Sequence, residues 1–229
     1  MNTHASIAAI LRLSPVMPVV TIEDATTAPQ LAHALVRGGI RTIEVTLRTA
    51  QALRAIEAIA AKVPEICVGV GTVMSTKDLT LAADAGAAFA ISPGATRELL
   101  EAGANFRIPY LPAVATASEL LTAIAAGYQH FKLFPANVAG GVAALKAFHG
   151  PFPEARFCPT GGVSLQSAPG YLELPNVLCV GGSWLTPADA LEAGDWARVE
   201  KLAREATALG SAARAGHWAP SFTGSRSPV

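Results

Sequence analysis

The stretch TIEVTLRTAQALRAIEAIAAKV, residues 42–63, decides the fold. Its first part alternates, with Ile43, Val45 and Leu47 on one side and Glu44, Thr46 and Arg48 on the other. Period-two alternation is the mark of a strand, whose successive side chains point to opposite faces. Its second part, 49–63, repeats Ala, Leu and Ile at helical spacing. A strand running directly into a helix is a βα unit, and the unit recurs along the chain. Strand-like runs are VMPVV (16–20), ICVGVG (66–71), AFAIS (88–92), IPYLPAV (108–114), HFKLF (130–134), RFCPT (156–160) and VLCVGG (177–182). Helical patterns lie between them at 28–39, 76–86, 96–103, 118–127 and 141–150, most closing on Gly, which favours a helix C-terminus. About eight such units without a long linker point to an α/β fold with a parallel sheet closed as a (β/α)8 TIM barrel. A doubly wound open sheet is the rival, but no Rossmann glycine fingerprint follows the first strand. Residues 2–13 read as a short N-terminal helix across one barrel end. Residues 1–210 form one domain in this reading, and the Ser-, Gly- and Pro-rich residues 211–229 form a mobile C-terminal tail.

Composition narrows the function classes. Of 229 residues, 51% are hydrophobic and 15% charged, and 17 basic side chains balance 17 acidic ones. That balance leaves no electrostatic footprint for nucleic acid or an anionic membrane. No apolar run reaches membrane-spanning length, and MNTHASIAAILRLSPVMPVV lacks the basic start and long apolar core of a signal peptide. Cys67, Cys158 and Cys179 are odd in number and sit in strand-like runs, so they read as buried free thiols of a cytoplasmic protein.

In such barrels chemistry sits where strands end and loops begin. Glu44 is the acid placed inside a strand, and alternation turns it inward with Thr46 and Arg48. In HFKLF the same rule turns His130, Lys132 and Phe134 inward, and Phe131 and Leu133 out towards helices. Burial disfavours an ammonium, and a neutral amine is a nucleophile towards a carbonyl carbon. Plainer readings exist: Glu44 with Arg48, or Glu44 with Lys132, as a purely structural interior ion pair. His130, one step deeper, reads as a satisfied interior histidine. Gly161-Gly162, after Thr160, and Gly181-Gly182-Ser183 end the last two strands, the usual phosphate position of these barrels. Thr72 closes strand three on the register of Val68 and Val70, where beside Arg48 it would complete a carboxylate pocket. Pro93, in the loop after strand four, shapes a wall. No pair of His, Asp or Glu stands at metal-ligand spacing at strand ends, so the expected chemistry is metal-independent.

The motifs IEVTLRT (43–49), GVGTV (69–73), FAISPG (89–94), FKLFPA (131–136), PTGGV (159–163) and VGGSWL (180–185) together resemble those of the 2-keto-3-deoxy-6-phosphogluconate (KDPG) aldolase / 4-hydroxy-2-oxoglutarate aldolase family, in family order over about residues 10–208. The resemblance implies a class I, metal-free and cofactor-free lyase of the Entner–Doudoroff route, a (β/α)8 barrel and a homotrimer. It implies that Lys132 forms the Schiff base and that Glu44 is the general acid/base. Arg48 and Thr72 would hold the substrate carboxylate, Pro93, Phe134 and Thr160 would line the pocket, and Gly161, Gly162, Gly181, Gly182 and Ser183 would take the phosphate. Three features depart from the family's pattern: Ala113 stands where glycine is common, 164–172 lacks an asparagine often found there, and the tail beyond Gly210 has no clear counterpart. The implied partner is a small 2-keto acid phosphate. The alternatives are cleavage of the galactonate-derived epimer, a phosphosugar isomerase or epimerase using Glu44, and a non-catalytic phosphate-binding barrel.

Overall fold

The computed structural model describes residues 6–217, the last seven as backbone only. It is an α/β fold whose strands all pair in parallel. The strands are β1 (Val16–Val20), β2 (Thr42–Thr46), β3 (Cys67–Gly71), β4 (Ala90–Ile91), β5 (Tyr110–Leu111), β6 (Ala113–Val114), β7 (His130–Leu133), β8 (Arg156–Pro159) and β9 (Val180–Gly182). The helices are α1 (Ile7–Leu11), α2 (Ala28–Arg37), α3 (Ala52–Lys62), α4 (Thr76–Asp84), α5 (Arg97–Ala104), α6 (Ala117–Ala125), α7 (Gly141–His149), α8 (Ala168–Leu172), α9 (Ala188–Ala193) and α10 (Trp196–His217).

Six strands form one sheet in the order β5-β4-β3-β2-β1-β9, and three form a second, β6-β7-β8. Pro112 separates β5 from β6. It has no N–H to give, yet its carbonyl accepts the Lys132 amide at 2.9 Å. Isolated bridges join Phe157 to Val177 and Thr160 to Gly181, next to β8 and β9.

Alternation sorts the strand side chains into two buried clusters. Ile43 and Val45 of β2, Val68 and Val70 of β3, and Phe131 and Leu133 of β7 pack with helix residues such as Leu31, Leu35, Ile56 and Leu120. On the other face, Met17, Ile91, Leu111 and Cys158 gather with Phe89 and Cys179, and α1 contributes Ile10 and Leu11 to the same cluster. Parallel strands buried on both faces need this many apolar positions. Local signals start the helices: Thr116 and Glu119 form a reciprocal capping box on α6, and Ser75 caps α4.

Several expectations shift. The N-terminal helix is shorter than 2–13, and residues 1–5 lie outside the described residues. The change in composition after Gly210 does not end α10, which runs on to His217; residues 218–229 lie outside the described residues. Gly210 is instead a close-packing position, since a Cβ there would lie 3.0 Å from Pro15 Cγ. The register expected for Thr72 is inverted. Glu44 and Thr46 stand opposite Gly69 and Gly71, so the glycines occupy the inner face of β3 while Val68 and Val70 face the helices. Thr72 follows with φ 63°, a left-handed backbone that breaks the alternation.

Candidate active site

Lys132 and Glu44 meet although their strands, β7 and β2, belong to different sheets. Lys132 Nζ donates to Glu44 Oε1 at 2.9 Å and to Oε2 at 3.1 Å. The lysine is 4% exposed and the glutamate 2%. Glu44 fits because Gly71 has no side chain: a Cβ there would lie 2.2 Å from Glu44 Oε1. Phe134, two residues beyond Lys132, sets its ring centroid 5.3 Å from Nζ, within the range of a cation–π contact. The ion pair of Glu44 is thus with Lys132, while Arg48 is exposed and borders the cavity above.

That cavity, about 410 Å³, opens at the strand C-terminal ends. Thr46 and Arg48 of the Glu44 face form one side, and Phe134 and Thr160 the other. Because Phe134 and Thr46 share faces with Lys132 and Glu44, the ion pair lies one strand step beneath these walls. Gly161, Gly162, Gly181, Gly182 and Ser183 close the far end. Gly161 and Gly162 have φ 98° and 74°, a backbone region that favours glycine, so the turn after β8 borders the cavity with main chain and no side chains. The two loops lock together through the Thr160–Gly181 bridge, and a Cβ on Gly181 would sit 2.2 Å from Thr160 Oγ1.

Of the sequence-predicted residues, Arg48, Phe134, Thr160, Gly161, Gly162, Gly181, Gly182 and Ser183 are brought together on this cavity, with Lys132 and Glu44 below. Thr72 and Pro93 are both half-buried and lie outside its walls. Thr21, Thr46 and Thr186 line it as well and carry hydroxyls that sequence reasoning assigned no role. The signal was present for two of them: Thr46 lies between Glu44 and Arg48 on their face, and Thr21 continues the Met17, Val19 face of β1.

All three cysteines are free thiols. Cys67 is half-buried, and burial pushes its thiol up to about 11. Cys158 stands opposite Lys132 in register, and its thiol lies below the ordinary value because Cys179 hydrogen-bonds to it, with the lysine charge helping. His130 is half-buried at the opposite end of β7, beside Tyr128 and Ile7 in a separate cavity. Burial lowers its imidazole first, and the charges of Arg12 and Arg156 lower it further. Among the described residues no group of three or more His, Cys, Asp and Glu side chains could hold a metal ion. No helix of the described residues is long and apolar enough to cross a membrane.

Residues 7–202 match the family model for KDPG and KHG aldolase. The chain belongs to this aldolase family. Within the family, it is 52% identical over 207 residues to a 2-dehydro-3-deoxy-phosphogluconate aldolase of Pseudoalteromonas atlantica, covering 90% of this chain and 96% of that one. It is likewise 52% identical over 205 residues to a KHG/KDPG aldolase of Escherichia coli K12, with the same coverages of 90% and 96%. Among solved structures, a KDPG aldolase of Legionella pneumophila superposes with TM-score 0.87 at 45% identity, covering 89% of this chain and 98% of that one. That crystal structure holds pyruvate captured at low pH as a covalent carbinolamine. The family is one of aldolases, which are lyases, so the chain is an enzyme of that class.

Proposed function

We propose that this protein is a class I Schiff-base aldolase that cleaves 2-keto-3-deoxy-6-phosphogluconate to pyruvate and glyceraldehyde 3-phosphate. The observation that carries the reading is the buried Lys132–Glu44 pair, 2.9 Å apart, beneath a cavity whose far end is built from paired glycines. A lysine kept only for structure would need no such cavity above it.

Glu44 takes a proton from the Lys132 ammonium across their hydrogen bond, which frees the amine lone pair. The amine attacks C2 of the substrate ketone, and Glu44 returns protons as the carbinolamine loses water. The resulting protonated imine is the electron sink. Glu44, directly or through water, removes the C4 hydroxyl proton, C3–C4 breaks, and its electron pair moves into an enamine. Protonation at C3 and hydrolysis of the imine release pyruvate and restore Lys132. General acid/base help of this kind is worth about 10²–10⁴ in rate. Arg48 is the carboxylate anchor. From family resemblance Thr72 is its expected companion and Pro93 an expected pocket-lining residue, although both stand outside the cavity walls. Phe134 and Thr160 line the reacting carbons. Gly161, Gly162, Gly181, Gly182 and Ser183 receive the phosphate through backbone N–H groups and a hydroxyl.

The same site accepts 4-hydroxy-2-oxoglutarate, giving pyruvate and glyoxylate, in a secondary activity. Closure of both sheets into one (β/α)8 barrel belongs to this reading. It is supported by the bridges beside β8 and β9, the β1–β9 pairing and the Pro112 carbonyl that ties the β5–β6 segment to β7. It is supported too by a small inner cluster that α1 plugs. The homotrimer and the cytoplasmic location implied by family resemblance are extended to this chain on that ground.

Pyruvate release coupled to a dehydrogenase tests the function. KDPG is expected to give the highest kcat/KM when compared with its galactonate-derived epimer and 4-hydroxy-2-oxoglutarate. No pyruvate from any of the three would contradict an aldolase and leave an isomerase, epimerase or binding barrel.

A further inference from the structure

Two hydroxyls of the cavity wall have no part in the mechanism above. Thr21, just past β1, and Thr46, closing β2, have Oγ1 atoms 2.9 Å apart. Thr46 Oγ1 also donates to the Val20 carbonyl oxygen at 3.2 Å. A threonine hydroxyl has one proton to give. We assign the Thr46 proton to the Val20 carbonyl, which can only accept, and the bond between the two hydroxyls then takes its proton from Thr21. Thr21 Oγ1 therefore presents lone pairs, and no hydrogen, to the cavity. Thr46 is 1% exposed and fixed by both contacts, whereas Thr21 is half-buried and is the member a ligand meets.

The position of this acceptor follows from the two ends of the site. Lys132 lies beneath the cavity, and the glycine turns with Ser183 lie at its far end. A chain bound at both ends runs its middle carbons along a cavity that Thr21, Thr46 and Thr160 all line. We propose that Thr21 is a specificity-determining residue: its Oγ1 accepts a hydrogen bond from the C5 hydroxyl of the substrate, the hydroxyl between the bond that breaks and the phosphate. This rests on the aldolase reading and adds to it a reason to prefer polyhydroxylated phosphates over short dicarboxylic 2-keto acids, which have no such hydroxyl.

The test compares kcat/KM for KDPG and 4-hydroxy-2-oxoglutarate in wild type, Thr21→Val and Thr21→Ser. Valine keeps the shape and removes the acceptor; serine keeps the acceptor and removes the methyl. The ratio of the two kcat/KM values is expected to fall about three- to tenfold in Thr21→Val, the worth of one neutral hydrogen bond. In Thr21→Ser it is expected to stay within about twofold of wild type, since that bond is retained. An unchanged ratio in Thr21→Val, or an equal fall in Thr21→Ser, would overturn the proposal. Calorimetric Kd values for 6-phosphogluconate, which keeps the C5 hydroxyl and has no ketone to react, provide a second reading. Weaker binding by Thr21→Val alone supports the acceptor role, and equal binding by all three proteins overturns it. Because binding needs no turnover, a wild type without cleavage would count against the aldolase reading and leave this comparison decisive for Thr21.

Discussion

The Glu44 carboxylate occupies the space that a side chain at Gly71 would need, with Oε1 2.2 Å from the Cβ position. The two residues lie on neighbouring strands, where Gly71 is opposite Thr46. Gly71 does not adopt a left-handed backbone, so alanine suits its conformation and the conflict is one of volume alone. Gly71→Ala is expected to displace the carboxylate from Lys132 and lower kcat by about 10²-fold, the cost of an ångström-scale misplacement of a reacting group. Overpacking of this kind costs about 1–3 kcal/mol, so the fold should persist. Pyruvate-release kinetics beside circular dichroism check both halves of the expectation.

Leu11 of α1 is fully buried in the inner cluster with Met17, Leu111 and Cys179. If α1 seals the base of the strands, Leu11→Ala opens a void that the surrounding strands cannot close. A loss of about 2–5 kcal/mol is expected, measured as a shift of the urea midpoint. A loss below about 0.5 kcal/mol would mean that α1 is a loose appendage.

The pH dependence of stability has a definite sign at His130. Its imidazole lies below the ordinary 6.5 in the folded protein, through burial and then the charges of Arg12 and Arg156. As pH falls through 6.5, the unfolded chain takes up a proton that the folded one still refuses. The stability contributed above that value is therefore lost on acidification, until the folded imidazole also titrates. His130→Gln is expected to show a smaller drop in Tm between about pH 7.5 and 5.5 than wild type, because the group that ordinarily titrates there is gone. Parallel Tm profiles would contradict this.

Much of the site was legible because strand alternation is a strong local rule. It placed Glu44 and Lys132 on inner faces, and Phe131, Leu133, Ile43 and Val45 among the helices. It failed at Thr72, because glycines tolerate either face: Gly69 and Gly71 fill the crowded inner side, and the valines between them pack outward. Strand ends were also overextended. Pro112 splits one expected strand, and the run at 177–182 pairs regularly only from Val180. Thr21 and Thr46 were overlooked as site residues because a hydroxyl pair gains meaning only when tertiary contact brings the two strands together. The packing of Gly210 against Pro15 was hidden for the same reason, since it is a long-range fact.

Removing either member of the central pair should separate chemistry from folding. Lys132→Ala is expected to abolish carbon–carbon cleavage. Glu44→Gln is expected to slow imine formation and hydrolysis by about 10²–10⁴-fold while the fold is retained. Stopped-flow formation of the imine with pyruvate, alongside steady-state turnover, distinguishes these effects.

The central claim is that the buried Lys132 amine forms a covalent imine with the substrate ketone. Incubating the protein with pyruvate and borohydride, digesting it and weighing the peptides tests this directly. A reduced pyruvyl group is expected on Lys132, and none on the same peptide from Lys132→Ala. An unmodified Lys132 in a protein that still cleaves KDPG, or an adduct on another lysine, would contradict it.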